Sequence, residues 1–213
     1  MKNLLKLFLF TSSLCTFLLF SSCSSAASSS GSESGLTVSF NMPSSSSRSA
    51  RAITSGAEVK LKMIGTYTSE LITSTIGSNG TCSVTFHDVP VGSVVTVVAT
   101  ITDTANNNQG YIGASEKITV TKACTAEINM VNAGYINVSG AGVASLTGSG
   151  LSTLPSGFTY TWGTPSSDIT FSGSGYSVNY TYSGSTSISD EITCIVSYKG
   201  TNLLKRSGYF TFG

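Results

Sequence analysis

Few side chains in these 213 residues could do chemistry: five cysteines, one histidine and a short run of Asp and Asn. His87 has Asp88 beside it, but neighbours on an extended strand face opposite ways, so the pair does not make a relay to a serine. The loop Asp103-Thr104-Ala105-Asn106-Asn107-Asn108-Gln109-Gly110 offers several hard oxygen ligands. Ala105 stands at a ligand position and no glutamate occupies the twelfth place, so a plain hairpin loop is expected rather than a calcium site. No catalytic residue, metal site or cofactor site is nominated. Cys82 and Cys124 both face inward by strand parity. Paired, they would remove unfolded-chain entropy worth about 4 kcal/mol; the alternative is two buried free thiols. Cys15 lies in an apolar leader, and Cys194 is left over.

Cys23 stands apart. Lys2 and Lys6 open the chain, a mostly apolar run extends from Leu4 to Phe20, and Ser21-Ser22-Cys23 closes it before a serine-rich stretch. This order resembles the bacterial lipoprotein signal, in a relaxed, spirochaete-like form with Phe20 where leucine is usual. The resemblance implies removal of residues 1–22, acylation of Cys23 by diacylglyceryl and fatty acyl (palmitate-type) chains, and a partner in the lipid bilayer. Ser24 after the cysteine, by the sorting rule of enteric bacteria, points to the outer membrane. An uncleaved helical anchor is the alternative, because the run is just long enough to span a bilayer. Residues 23–35 then read as a flexible Ser-rich tether with almost nothing to bury.

Composition narrows the function classes. Asp, Glu, Lys and Arg make up only 10% of the chain, against roughly 25% in ordinary soluble domains. Instead there are 40 serines and 28 threonines. Lys2 and Lys6 leave with the leader, so 9 of the 11 basic residues face 10 acidic ones. No basic stripe remains to hold a phosphate backbone, and nucleic acid is excluded as an expected partner.

The elements that must position these residues are strands. Leu36, Val38, Phe40 and Met42 alternate with small or polar residues; Val59, Leu61 and Met63 do the same, with Lys60 and Lys62 outward. Cys82, Val84 and Phe86 line a third strand, the β-branched run Val94 to Ile101 a fourth, and Ala126, Ile128 and Met130 the last before a boundary at 132–134. Beyond it, Phe158, Tyr160 and Trp162 share a face, as do Tyr176, Val178, Tyr180 and Tyr182, and Ile192, Cys194, Val196 and Tyr198. Parity sends most of these rings into a core rather than onto a sugar-stacking platform. The opposite face, with Thr159, Thr161, Ser177, Asn179 and Thr181, should be flat, hydroxyl-rich and open to an adhesive role. The expected architecture is all-β: two antiparallel Greek-key β-sandwich domains, 36–133 and 134–213, after a cleaved signal peptide and Ser-rich tether.

The run Val84-Thr85-Phe86-His87-Asp88-Val89-Pro90-Val91-Gly92-Ser93-Val94-Val95-Thr96-Val97 is similar to the central hairpin of prealbumin-like modules, among them carboxypeptidase regulatory domains. Phe158-Thr159-Tyr160-Thr161-Trp162, Val178-Asn179-Tyr180-Thr181-Tyr182 and Ile192-Thr193-Cys194-Ile195-Val196 resemble immunoglobulin-like and polycystic-kidney-disease-type extracellular modules. The latter likeness implies Trp162 packed near Cys194, with no second cysteine to close a disulfide. Two functions are expected on these grounds. One is a membrane-anchored, non-enzymatic binding or adhesion lipoprotein facing an unidentified extracellular protein or glycan. The other is a fimbrillin-like structural subunit, assembled by strand exchange after cleavage at Arg48 or Arg51 frees the first strand.

Overall fold

The computed structural model describes residues 35–42, 53–79 and 81–213. The leader, Cys23, all of the tether but Gly35, and Arg48 and Arg51 lie outside the described residues.

Eight strands form the first sheet: β1 (Gly35–Asn41), β2 (Glu58–Gly65), β3 (Ile72–Thr75), β4 (Val84–Phe86), β5 (Val94–Asp103), β6 (Gln109–Ser115), β7 (Ile118–Thr119) and β8 (Ala123–Asn132). Their order is β3-β2-β5-β6-β8-β1-β4, with the short β7 beside β5. The sheet curls over one core. Leu36 and Val38 from β1, Val59, Leu61 and Met63 from β2, and Phe86 from β4 all meet in it. Alternation explains each strand: in β2 those three apolar side chains are buried while Lys60 and Lys62 take the other face. Where the two ends of the sheet come together, the Cys82 thiol lies 3.6 Å from the Ser74 hydroxyl.

Two features depart from the sequence reading. Strand β3 was not anticipated, because Ile72-Thr73-Ser74-Thr75 carries one apolar residue and gives no alternation to read. And β1 runs parallel to β8 along its whole length, while pairing antiparallel to β4. No hairpin ties β1 to either neighbour, so no turn fixes its direction, and the alternation of Leu36 and Val38 fixes only the face they take.

The second sandwich comprises β9 (Ile136–Ser139), β10 (Val143–Leu146), β11 (Phe158–Gly163), β12 (Ile169–Ser172), β13 (Ser177–Tyr182), β14 (Ile188–Tyr198) and β15 (Thr201–Phe212). One sheet has the order β12-β13-β10-β9 and the other β11-β14-β15. Lettered along the chain from A to G, this is the ABED and CFG arrangement of constant-type immunoglobulin domains. Lys199 and Gly200, both at positive φ, form the two-residue connection of the β14–β15 hairpin; a type I′ turn requires left-handed backbone at both positions. Trp162 on β11 stands directly opposite Cys194 on β14, and its indole N–H donates to the Gly175 carbonyl at 3.0 Å. The rings of Phe171, Tyr180, Tyr182 and Phe210 pack around Ile192 and Phe212, inward as expected.

The two sandwiches are not merely strung together. Strand β5 is buried on both faces. Val95, Val97, Ala99 and Ile101 point into the first core, and Thr96, Val98 and Thr100 are buried on the opposite side. On that side Val98 and Ala114 pack with Tyr198, Phe158 and Leu203, and Ile112 packs with Leu151, Val196 and Leu204. The run from Val94 to Ile101, β-branched at every position but Ala99, is thus the mark of a strand covered on both sides. At the crossing between modules, Gly134 and Gly148 sit backbone against backbone. A Cβ on Gly148 would fall 2.0 Å from the Asn132 carbonyl oxygen, so no side chain fits.

Candidate functional site

Among the described residues, the chemistry-bearing groups are scattered rather than convergent. His87 is exposed at the end of β4, and Asp88 follows it at φ 57° in the turn to Pro90. No group of three or more His, Cys, Asp or Glu among the described residues is spaced to hold a metal ion.

Of the two alternatives left open for Cys82 and Cys124, a disulfide or two free thiols, the structure has the second. Both are free thiols. Each is half-buried against the first core, on the face parity assigned. They differ in register: Cys124 stands opposite Leu36 on β1, whereas β4 pairs Val84 with Val38 and so carries Cys82 level with Phe40. With β1 lying between them, the two are about 16 Å apart from strand rise and spacing, well beyond the reach of a disulfide. Parity specifies a face; it does not specify position along that face. Cys194 is fully buried, and burial pushes its thiol up to about 12.

The Asp103–Gly110 loop is a structural junction. Burial alone would push the Asp103 carboxyl up. Hydrogen bonds from the Thr54 hydroxyl and backbone N–H and from Asn106 outweigh that and hold it below the ordinary carboxylate range. The Thr54 N–H donates at 2.8 Å and its hydroxyl to the other oxygen. The carboxylate therefore staples the segment before β2 to the end of β5, turned away from solvent. Burial, with the Asp103 charge nearby, in turn raises the Tyr111 phenol.

From the second sandwich, Arg206 on β15 reaches the same loop and donates from Nη1 to the Asn108 carbonyl at 2.6 Å. Its guanidinium lies 5.7 Å from the Tyr135 ring centroid, and the Tyr135 hydroxyl donates to the Asn107 carbonyl at 3.1 Å. Arg206 is buried, with Nε and Nη2 lacking a hydrogen-bond partner. Burial lowers its pKa and Tyr135 opposes the shift, yet a guanidinium keeps its charge. Gly110 makes room for it: a Cβ there would meet Nη2 at 2.1 Å. The sequence reading missed Arg206. Its signal was a basic residue at an inward position in the alternation Leu204, Arg206, Gly208, Phe210, Phe212.

The hydroxyl-rich face also needs correction. Thr159 and Thr161 belong to β11, whereas Ser177, Asn179 and Thr181 belong to β13 in the opposing sheet. The two sets share no surface, because parity does not say which sheet a strand joins. The outer face of β12-β13-β10-β9 is nevertheless broad and uncharged. Across it Thr170 pairs with Thr181, their hydroxyls 2.6 Å apart, Ser172 with Asn179, and Ser177 with Ser145 and then Asn137. Such a face can offer many neutral hydrogen-bond donors and acceptors.

No protein-family model and no curated protein matches the chain. Among solved structures it is similar to the crystal structure of a DUF4876 family protein from Bacteroides thetaiotaomicron VPI-5482. The TM-score is 0.31 and the identity 15%, over 65% of this chain and 34% of that one, so this chain spans about a third of that protein's length.

Proposed function

We propose that the protein is a cell-envelope lipoprotein, anchored through acylated Cys23 in the outer membrane, that acts as a non-enzymatic binding or adhesion module. The observation that supports this reading is the fusion of the two sandwiches through the outer side of β5 and β6. It makes a stiff display body whose exposed sheet face β12-β13-β10-β9 presents neutral hydroxyl and amide groups. Such a face suits recognition of an extracellular protein or a neutral glycan, with the serine-rich stretch supplying reach. Metabolic labelling with a fatty acid tests the anchor: label in the wild type and none in Cys23→Ala is expected. A mature chain that is unlabelled and starts elsewhere than residue 23 refutes it. A hydrolytic activity strictly dependent on His87 would refute the non-enzymatic part.

A second reading, the strand-exchange subunit, is favoured by the position of β1. This first strand is inserted between β8 and β4, with Leu36 and Val38 fully buried. Its outward side chains interlock with both neighbours: Thr37 with Thr85, and Asn41 Nδ2 donating to the Asn129 side-chain oxygen Oδ1 at 3.2 Å. Removing it would leave a groove lined for an alternating apolar strand. The amino-terminal residue of the mature protein separates the readings: Cys23 supports the tethered module, and Ser49 or Ala52, following Arg48 or Arg51, supports assembly.

A further inference from the structure

Strand β15 is the longest strand among the described residues, and it ends its sheet, bonded on one side to β14 and to no strand on the other. Its first half is covered, because Leu203, Leu204 and Arg206 pack on the first sandwich. Its second half, Ser207-Gly208-Tyr209-Phe210-Thr211-Phe212, carries no charge and no proline. Natural edge strands are normally blunted against pairing by lysine, proline, a bulge or a cover. Here Lys205 stands just before the free segment, and the bulge of this hairpin, with Leu203 of β15 as its extra residue, lies in the covered half of the strand. Tyr209, at the centre of the segment, is 77% exposed, the highest value among the exposed large hydrophobic residues.

The segment is also complementary to itself. Set antiparallel to a second copy about a two-fold axis at Tyr209, it places Tyr209 opposite Tyr209, Ser207 opposite Thr211 and Gly208 opposite Phe210. An aromatic pair, hydroxyl pairs and an aromatic covering a glycine are all favourable cross-strand neighbours. Within one chain the Phe210 ring already lies over Gly208, 2.9 Å from where a Cβ would be. On β14 the residues behind this row are Ser189, Glu191 and Thr193. No like charges are opposed in the paired row, and a single-centred pattern of this kind fits one register and one partner.

We infer that the Ser207–Phe212 edge of β15 is a homodimerisation site, at which two copies of this chain join their β11-β14-β15 sheets into one continuous six-stranded sheet. This is independent of the anchor and of any ligand, and it holds for either functional reading.

Sedimentation equilibrium on the full chain over a concentration series tests it, alongside Tyr209→Lys, which sets two like charges opposite each other at the two-fold. Expected are a concentration-dependent doubling of mass in the native chain, loss of that doubling in Tyr209→Lys, and unchanged thermal unfolding at dilution. Directly opposed Cα atoms in an antiparallel pair lie within disulfide range. Tyr209→Cys in a chain that also carries Cys15→Ser, Cys23→Ser, Cys82→Ser and Cys124→Ser should therefore oxidise to a covalent dimer. The same background with Tyr209 retained, and Ser177→Cys as an exposed control away from the edge, should not. A native chain that stays monomeric throughout overturns the inference. So does a dimer that survives Tyr209→Lys, or cross-linking at position 209 no greater than at 177.

Discussion

Ile112 provides the sharpest test of the fold. On an independent first sandwich its side chain, on the outer side of β6, would face water, and replacing it would change stability by no more than about 0.5 kcal/mol. In the structure it is fully buried beneath Leu151, Val196 and Leu204 of the second sandwich. Ile112→Ala deletes three carbons, worth about 2.4 kcal/mol at the usual transfer value per methylene. The cavity left behind adds to this, giving an expected loss of about 3 kcal/mol. In a folded part of this size each kilocalorie moves the midpoint by roughly 2–4 °C, so the thermal transition should fall by roughly 6–12 °C. Urea unfolding followed by Trp162 fluorescence supplies the free energy. Far-ultraviolet circular dichroism follows both sandwiches, and the two probes should shift together. Val97→Ala, pointing into the first core, serves as a comparison. A loss below about 0.5 kcal/mol for Ile112→Ala, with Trp162 unfolding unmoved, would refute the shared interface.

Other outcomes follow from the same geometry. Gly148→Ala would drive a Cβ against the Asn132 carbonyl and the Ala133 backbone, neither of which can swing aside; a loss of about 3 kcal/mol in chemical denaturation is expected. Asp103 has a depressed folded pKa, so its contribution to stability is present above the ordinary carboxylate value of 3.8 and is lost as pH falls through the lower, folded value. Thr54→Val removes one of its donors and should move the acid-unfolding midpoint to higher pH; an unchanged acid limb would count against the staple. Cys194, buried with its thiol raised to about 12, should resist maleimide in the native state and react only after denaturation. In the same experiment, a cross-linked peptide joining Cys82 to Cys124 under non-reducing digestion would contradict the register of β1, β4 and β8.

The alternation of side chains along each strand was legible in the chain itself, because a period of two is a local property. It correctly assigned the faces of Leu36, Val59, Cys82, Cys124, Trp162 and Cys194, and with them an all-β architecture. Harder were the relations between strands far apart in sequence. The parallel course of β1, the offset between the two half-buried thiols and the separation of Thr159 from Ser177 into opposing sheets all depend on which strands become neighbours and at what register. Arg206 and Ile112 make the same point: each belongs to an ordinary alternating strand, yet their burial follows from one sandwich covering the other. Sequence alone determined which way each side chain leaves its own strand, because that is settled by local backbone geometry. Only the tertiary structure decided what each side chain meets there, because contacts are settled by packing between segments that no local pattern connects.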